Sequence, residues 1–177
     1  CLVGSEMCIR DRFLTAFAKG LMQRWELNLS TPDTNDSATY IANMQKLINA
    51  ELNEISKYRD VTFSDDTFNQ KAHDYINDLD KQMDSLNYYT TDYNKYANEW
   101  SDAYGDRSLI ISYFLNNYPV KIDDKYADIK NEVASVAKLA EESKVLEKDI
   151  NNMINAGPFE LAEDSYGYKT YKKNITN

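Results

Sequence analysis

Apolar residues recur along most of the chain at steps of three and four, the spacing that places side chains on one face of an α-helix. The first such stretch covers residues 13–25. A cluster of turn-forming residues follows, and a second helix, capped by a serine, is predicted over residues 37–58. Ser64 or Asp65 can cap a third helix that ends near Leu86. The pattern therefore predicts three helices in the first half of the chain.

The apolar stripe continues without a change of phase beyond this third helix. A single helix over residues 66–117 would be about 78 Å long, which is unusual for a lone domain. We therefore predict a break at residues 90–92, followed by a fourth helix that is kinked at Gly105. That helix should end at Tyr118, because the residue before a proline avoids the helical region.

The last helix has the most regular pattern in the chain. From Asp123 to Ile154 its inward positions follow a strict four–three alternation, with Ser143 and Glu147 as polar exceptions, and a Gly-Pro pair then supplies a stop signal. The pattern as a whole predicts an all-α fold, an elongated bundle of about five helices. A stripe this regular also suits pairing with a second helix, but burial within the same chain is our preferred interpretation.

The character of the chain changes at its C-terminal end. Residues 159–177 are rich in Tyr, Thr and Lys and predict one or two β-strands without partners elsewhere in the chain. Because a lone hairpin is marginally stable in water, we interpret this short β segment as the beginning of a truncated β-sandwich domain.

The first residues have a different origin from the rest in our interpretation. Residues 1–12, CLVGSEMCIRDR, resemble a run that recurs at the ends of unrelated metagenomic protein predictions, where sequencing-adapter DNA has been translated. We therefore divide the chain into a non-native segment at 1–12, a helical bundle domain at 13–156 and a β segment at 159–177. Without the first segment the chain has no cysteine, since Cys1 and Cys8 are its only two.

Composition narrows the classes of function. The chain has 29 acidic and 20 basic residues and a net charge of -9, which argues against a nucleic-acid partner. With 42% apolar and 12% aromatic residues it should fold rather than remain disordered. No stretch approaches the roughly 18 consecutive apolar residues of a membrane span. Contact with a membrane is therefore expected only through an anchor that is missing from this chain.

Motifs for catalysis or metal binding are not found. His73 is the only histidine, the five glycines form no phosphate-binding loop, and no metal-ligand spacing is present. Glu51 and Glu54 share a helical face, but in so acidic a chain a solvated face is the simpler interpretation. We predict no catalytic, cofactor-binding or metal-ligating residue, no cofactor, and no enzymatic activity.

Tyrosines supply the candidate site. Tyr88, Tyr89, Tyr93 and Tyr96 lie within a short aromatic-rich stretch, and neighbouring residues on a helix point about 100° apart. Some of these tyrosines should therefore reach the surface, where they could stack on sugars or contact a protein. The alternative is a core built from tyrosine. We name these four residues as a predicted interaction surface.

A resemblance to a known family implies where the protein is located. Tyr166-Gly167-Tyr168, Tyr171 and residues 174–177 resemble the opening strands of FxLYD-type β-sandwich domains, found in envelope-attached proteins of Gram-positive bacteria. Residues 13–153, including Gly20-Leu21, the Tyr-rich stretch 92–100 and residues 104–107, resemble helical regions upstream of such domains, behind a lipoprotein signal or a membrane anchor. The resemblance implies an extracytoplasmic module attached to the cell envelope.

The predicted function is accordingly a non-catalytic binding or spacing role, with a protein or glycan of the cell envelope as partner. One alternative is a cytoplasmic or phage-encoded helical adapter that pairs through its last long helix. Exposure of Ile129, Val133 and Ile150 would favour that alternative. A further alternative is an enzyme with an unrecognised site, for which a polar pocket holding His73 and two acids would be the sign.

Overall fold

The computed structural model describes residues 4–29, 36–156, 159–163 and 169–173. The all-α class predicted from the sequence is confirmed, because the described part of the chain before residue 157 is a helical bundle. Its α-helices are α1 (Glu6–Leu29), α2 (Ser37–Ile55), α3 (Asp66–Tyr88), α4 (Tyr93–Asp102), α5 (Tyr104–Asn117) and α6 (Asp128–Ala156). Short 3-10 helices lie at Ser56–Asp60 and Asp124–Tyr126. Two strands, β1 (Phe159–Glu163) and β2 (Lys169–Lys173), pair antiparallel.

The chain divides into two compact units, Cys1–Ala137 and Lys138–Asn177. The division falls inside α6, and the domain boundary predicted after residue 156 stays a prediction. The buried residues of α6 explain its position, since Ile129, Val133 and Ala137 are buried and no later residue of the helix is.

The break predicted at residues 90–92 is present. Helix α3 ends at Tyr88, and the side chain of Asp92 caps α4 by accepting a hydrogen bond from the backbone N–H of Lys95 at 3.1 Å. A cap of this kind satisfies an N–H group that would otherwise lack a partner at a helix N-terminus.

The kink predicted at Gly105 is wrong. The chain forms two separate helices that meet at Ala103, so the described residues contain six α-helices instead of about five. The Trp100 carbonyl would accept the N–H of Tyr104 in a continuous helix, but it instead accepts a hydrogen bond from the guanidinium of Arg107 at 3.1 Å. A buried side chain therefore supports the end of α4.

The centre of the first unit is an aromatic cluster between α1, α3 and α5. Phe13, Phe17, Phe68 and Phe114 have no exposed surface, and Tyr75 is 1% exposed. The Phe17 and Phe114 rings lie 5.0 Å apart, and Phe68 packs edge to face on Phe114 at 5.6 Å. Aromatic rings prefer such tilted and edge-to-face contacts because their faces are negative and their edges positive.

A buried ion pair joins α1, α2 and α3. Arg24 donates hydrogen bonds to Glu51 and, at 3.0 Å, to the hydroxyl of Tyr75, which in turn donates to Oε1 of Glu51 at 2.5 Å. Gly20 leaves room for this carboxylate, because a Cβ atom at that position would lie 2.6 Å from Oε1 and closer to its other atoms. Glu51, which the sequence analysis assigned to a solvated face, is 4% exposed.

Part of the segment interpreted as non-native belongs to α1. Ile9 is half-buried against the core, and the Arg10 guanidinium lies 5.2 Å from the centre of the Tyr118 ring. Glu6 accepts a hydrogen bond from the backbone N–H of Ser64. The origin of residues 1–12 stays a prediction, but the helix extends through residues 6–12 without a break.

Candidate ligand-binding pocket

A pocket of about 720 Å³ opens in the first unit, between α1, α2, α4, α5 and the first turns of α6. This volume lies within the range of small-molecule sites. Six aromatic side chains line it: Trp25, Tyr40, Tyr93, Tyr96, Trp100 and Tyr104. Most of the lining is apolar, and a small number of polar groups converge on it, as in ligand sites of known proteins.

The aromatic lining follows from the spacing of residues in α4 and at the start of α5. Tyr93, Tyr96 and Trp100 are three and four residues apart, which places them on one face of α4. The rings of Trp100 and Tyr104 lie 4.6 Å apart, and those of Tyr40 and Tyr93 lie 4.9 Å apart, edge to face. These contacts hold the rings in fixed orientations around the pocket.

Arg107 lies in the pocket wall with its charge neutralised. Its Nε and one terminal nitrogen donate to the two carboxylate oxygens of Asp78 at 2.7 and 3.1 Å, and Gln82 donates to the same carboxylate at 2.9 Å. The guanidinium also lies 5.0 Å from the centre of the Trp100 ring. Bidentate pairing of this kind fixes the guanidinium plane, so Trp100 rests on a rigid support.

Arg24, the second arginine of the lining, is paired through the buried network already described. Burial acts to lower the pKa of Arg24, but Glu51 and the Tyr75 hydroxyl outweigh that effect and raise it. Burial likewise raises the pKa of the Glu51 carboxyl, against the opposing influence of Arg24 and Tyr75. We treat the pair as ionised, because an arginine keeps its proton even when it is buried.

The Tyr96 side chain lines the pocket and is almost completely buried. Tyr96 is 3% exposed, and within the described part of the chain its hydroxyl has no hydrogen-bond partner. Burial raises the pKa of Tyr96 to about 12, so the hydroxyl keeps its proton at neutral pH. A buried polar group without a partner costs free energy, roughly 1–3 kcal/mol.

Two carboxylates complete the lining on the solvent side. Asp128 and Glu132 are exposed residues of α6, and neither forms an ion pair with a basic residue of the described ranges. Glu132 accepts a hydrogen bond from Tyr104; burial, together with this carboxylate, raises the pKa of Tyr104 to about 12. The charge that remains uncompensated around the pocket is therefore negative.

The four tyrosines of the predicted interaction surface do not share one surface. Tyr93 and Tyr96 line the pocket, with Tyr96 buried, whereas Tyr88 is 80% exposed and its ring packs against Tyr89 at 4.8 Å. Tyr88 and Tyr89 do not belong to the lining. The break at residues 90–92 separates the two pairs, since Tyr88 ends α3 and Tyr93 begins α4.

Several residues of the pocket were not named as site residues from the sequence. Trp100 and Tyr104 continue the spacing of Tyr93 and Tyr96, so periodicity could have added them. Trp25 and Arg107 come from other helices, and no local pattern connects them with α4. His73 lies outside the lining, and its Nδ1 atom contacts the Asn69 carbonyl at 2.7 Å.

No family model, curated protein or solved structure matches this chain. Among the described residues, no group of three or more His, Cys, Asp or Glu side chains could hold a metal ion. Within the same ranges, no helix combines the length and the apolar character needed to cross a bilayer.

Proposed function

We propose that this chain is a non-catalytic binding module that holds a small organic ligand in its aromatic pocket. The observation that supports this most directly is the pocket itself, about 720 Å³ in volume and lined by six aromatic side chains. Pockets that combine apolar walls with a few oriented polar groups are the usual sites of ligand binding.

The setting that we propose for this module is the outside of a Gram-positive cell, attached to the envelope through an anchor that precedes the chain. In this proposal the ligand comes from a glycan or protein of the envelope, and residues 159–177 begin a β-sandwich domain of the FxLYD type. The family resemblance of residues 13–153 and 166–177 supports that setting. An elongated form of the bundle is part of the same proposal.

Filling the pocket should abolish binding. Ala97 is a small residue of the lining, and we expect Ala97→Trp to occupy the space that a ligand needs. Ligand-observed NMR with a library of small aromatic, sugar and amine fragments should detect binding to the wild-type chain. The same fragments should lose at least about tenfold in affinity with Ala97→Trp.

The matched control for that experiment is Ala134→Trp, which places the same side chain on an exposed position of α6 outside the lining. It should bind the fragments as the wild type does, with far-UV circular dichroism to verify that both variants are folded. Equal binding by Ala97→Trp and wild type, or no binding by the wild type, would contradict the proposed function.

The helical adapter stays a second candidate because of one feature of the second unit. Leu139, Leu146, Ile150 and Met153 are 44–65% exposed on α6 and follow a heptad spacing together with Ser143. Ile129 and Val133, which that alternative required to be exposed, are buried instead. If these exposed side chains of α6 form a pairing seam, the natural partner is the same seam of a second copy. Pairing would bury these side chains.

Oligomeric state tests the second candidate. Sedimentation velocity at high protein concentration should show a dimer for the wild type and a monomer for Leu146→Glu, because a charge in an apolar seam opposes pairing. Asn152→Glu adds the same charge to an exposed position outside the seam and should leave the dimer intact. A monomeric wild-type chain would rule out the pairing.

A further inference from the structure

We propose that the pocket binds an organic cation, with an alkylated ammonium group held among the aromatic rings. This inference rests on the proposed function and names the chemical class of its ligand. Two features of the described residues carry it: the balance of charge around the pocket and the arrangement of the rings.

Among the described residues of the lining, no basic side chain is left without a carboxylate partner. Both arginines of the pocket have their own carboxylate partner, the buried Glu51 for Arg24 and the partly buried Asp78 for Arg107. Asp128 has no ion-pair partner among the described residues, and Glu132 has only the neutral hydroxyl of Tyr104. A positively charged ligand would therefore meet two uncompensated carboxylates, and a negatively charged one would be repelled.

The second feature is the arrangement of the aromatic rings. The faces of Trp and Tyr rings attract cations, and bulky ammonium groups are recognised by cages of such rings. Trp100 already has the Arg107 guanidinium over its ring at 5.0 Å. No basic group of the described residues lies over the ring of Trp25, Tyr93 or Tyr104. These rings are available to a cation that comes from outside the chain.

The charge of the whole chain adds to this attraction. The net charge of -9 concentrates cations around the protein at low ionic strength. A cation therefore matches the pocket better than a neutral molecule of the same shape does.

Choline and 3,3-dimethylbutan-1-ol provide a matched pair of probes, since they have the same shape and differ in the charge of the central atom. Isothermal titration calorimetry should show that choline binds at least about tenfold more tightly than the neutral alcohol. Raising the salt concentration should weaken choline binding severalfold, because the carboxylates are exposed and are screened over about 10 Å at 0.1 M salt. Equal affinity for the two probes, or no binding of choline, would overturn the inference.

Two variants test whether the preference for choline over the neutral alcohol arises in the pocket. Glu132→Gln should weaken choline binding severalfold and leave the neutral alcohol unaffected, whereas Glu141→Gln on the exposed part of α6 should change neither. Because Glu132 also contacts Tyr104, Trp25→Leu serves as a second variant that keeps an apolar wall and removes an aromatic face. If Trp25→Leu lowers the affinity for both probes equally, no cation–π contact is involved and the inference fails.

The two proposals fail in different ways. If fragments bind the wild type and are lost in Ala97→Trp while choline binds no better than its neutral isostere, the pocket is a binding site for another class of ligand. If Ala97→Trp leaves all fragment binding unchanged, the binding function itself is wrong, and the inference fails with it.

Discussion

Replacing Glu51 with glutamine is expected to lower the free energy of unfolding by about 3–5 kcal/mol, because removing one partner of a buried ion pair leaves the other charge buried without compensation. Arg24 is 8% exposed and has no second carboxylate among its hydrogen-bond partners in the described residues. The variant keeps the volume of the side chain, so a large effect would report the lost charge rather than a cavity.

Urea denaturation followed by circular dichroism measures this change, and Glu54→Gln is its matched control. Glu54 lies one turn further along α2 and pairs with Lys19 at 3.7 Å on the surface, where ion pairs contribute about 0–1 kcal/mol. The two substitutions are chemically identical and differ in burial. A similar small effect for both variants would show that the Arg24–Glu51 pair is not buried as described.

Replacing Phe114 with alanine should also lower the free energy of unfolding, by about 3–5 kcal/mol. Phe114 has no exposed surface, and its ring contacts those of Phe13, Phe17 and Phe68 at 5.0–5.6 Å. Removing it leaves a cavity at the point where α1, α3 and α5 meet. The surrounding rings can fill that cavity only in part, since each of them also packs on another ring.

The same denaturation experiment applies, with Asn116→Ala as control. Asn116 lies two residues further along α5, is exposed and contacts only the Ser112 hydroxyl through its side chain, so we expect a change within about 0.5 kcal/mol. A loss for Phe114→Ala of the same small size would place the core of the bundle elsewhere.

The core and the pocket are connected through Arg24. Its guanidinium belongs to the buried network of Glu51 and Tyr75, and the same residue lines the pocket. A ligand would therefore bind against a wall that is held by a buried ion pair. Rigid support of this kind reduces the ordering cost of binding.

The helical class and several of the helix boundaries follow from local features of the sequence. Apolar periodicity located the buried faces, and Asp65 and Asp92, which accept hydrogen bonds from the N–H groups three residues later, cap α3 and α4. These features are local, because the spacing of side chains and the pairing of the first N–H groups depend on residues within one or two turns. Two of the four tyrosines proposed from the Tyr-rich stretch, Tyr93 and Tyr96, line the pocket.

The packing of the helices against one another determines which polar residues are buried and where the pocket lies. Glu51 and Glu54 look equivalent on α2, but Gly20 of α1 leaves space for one of them, and Arg24 compensates its charge. The Arg107 guanidinium donates a hydrogen bond to the Trp100 carbonyl at the end of α4, and periodicity could not reveal that contact. Burial of a charge depends on partners that other helices supply, so it is a property of the packed bundle rather than of any one helix.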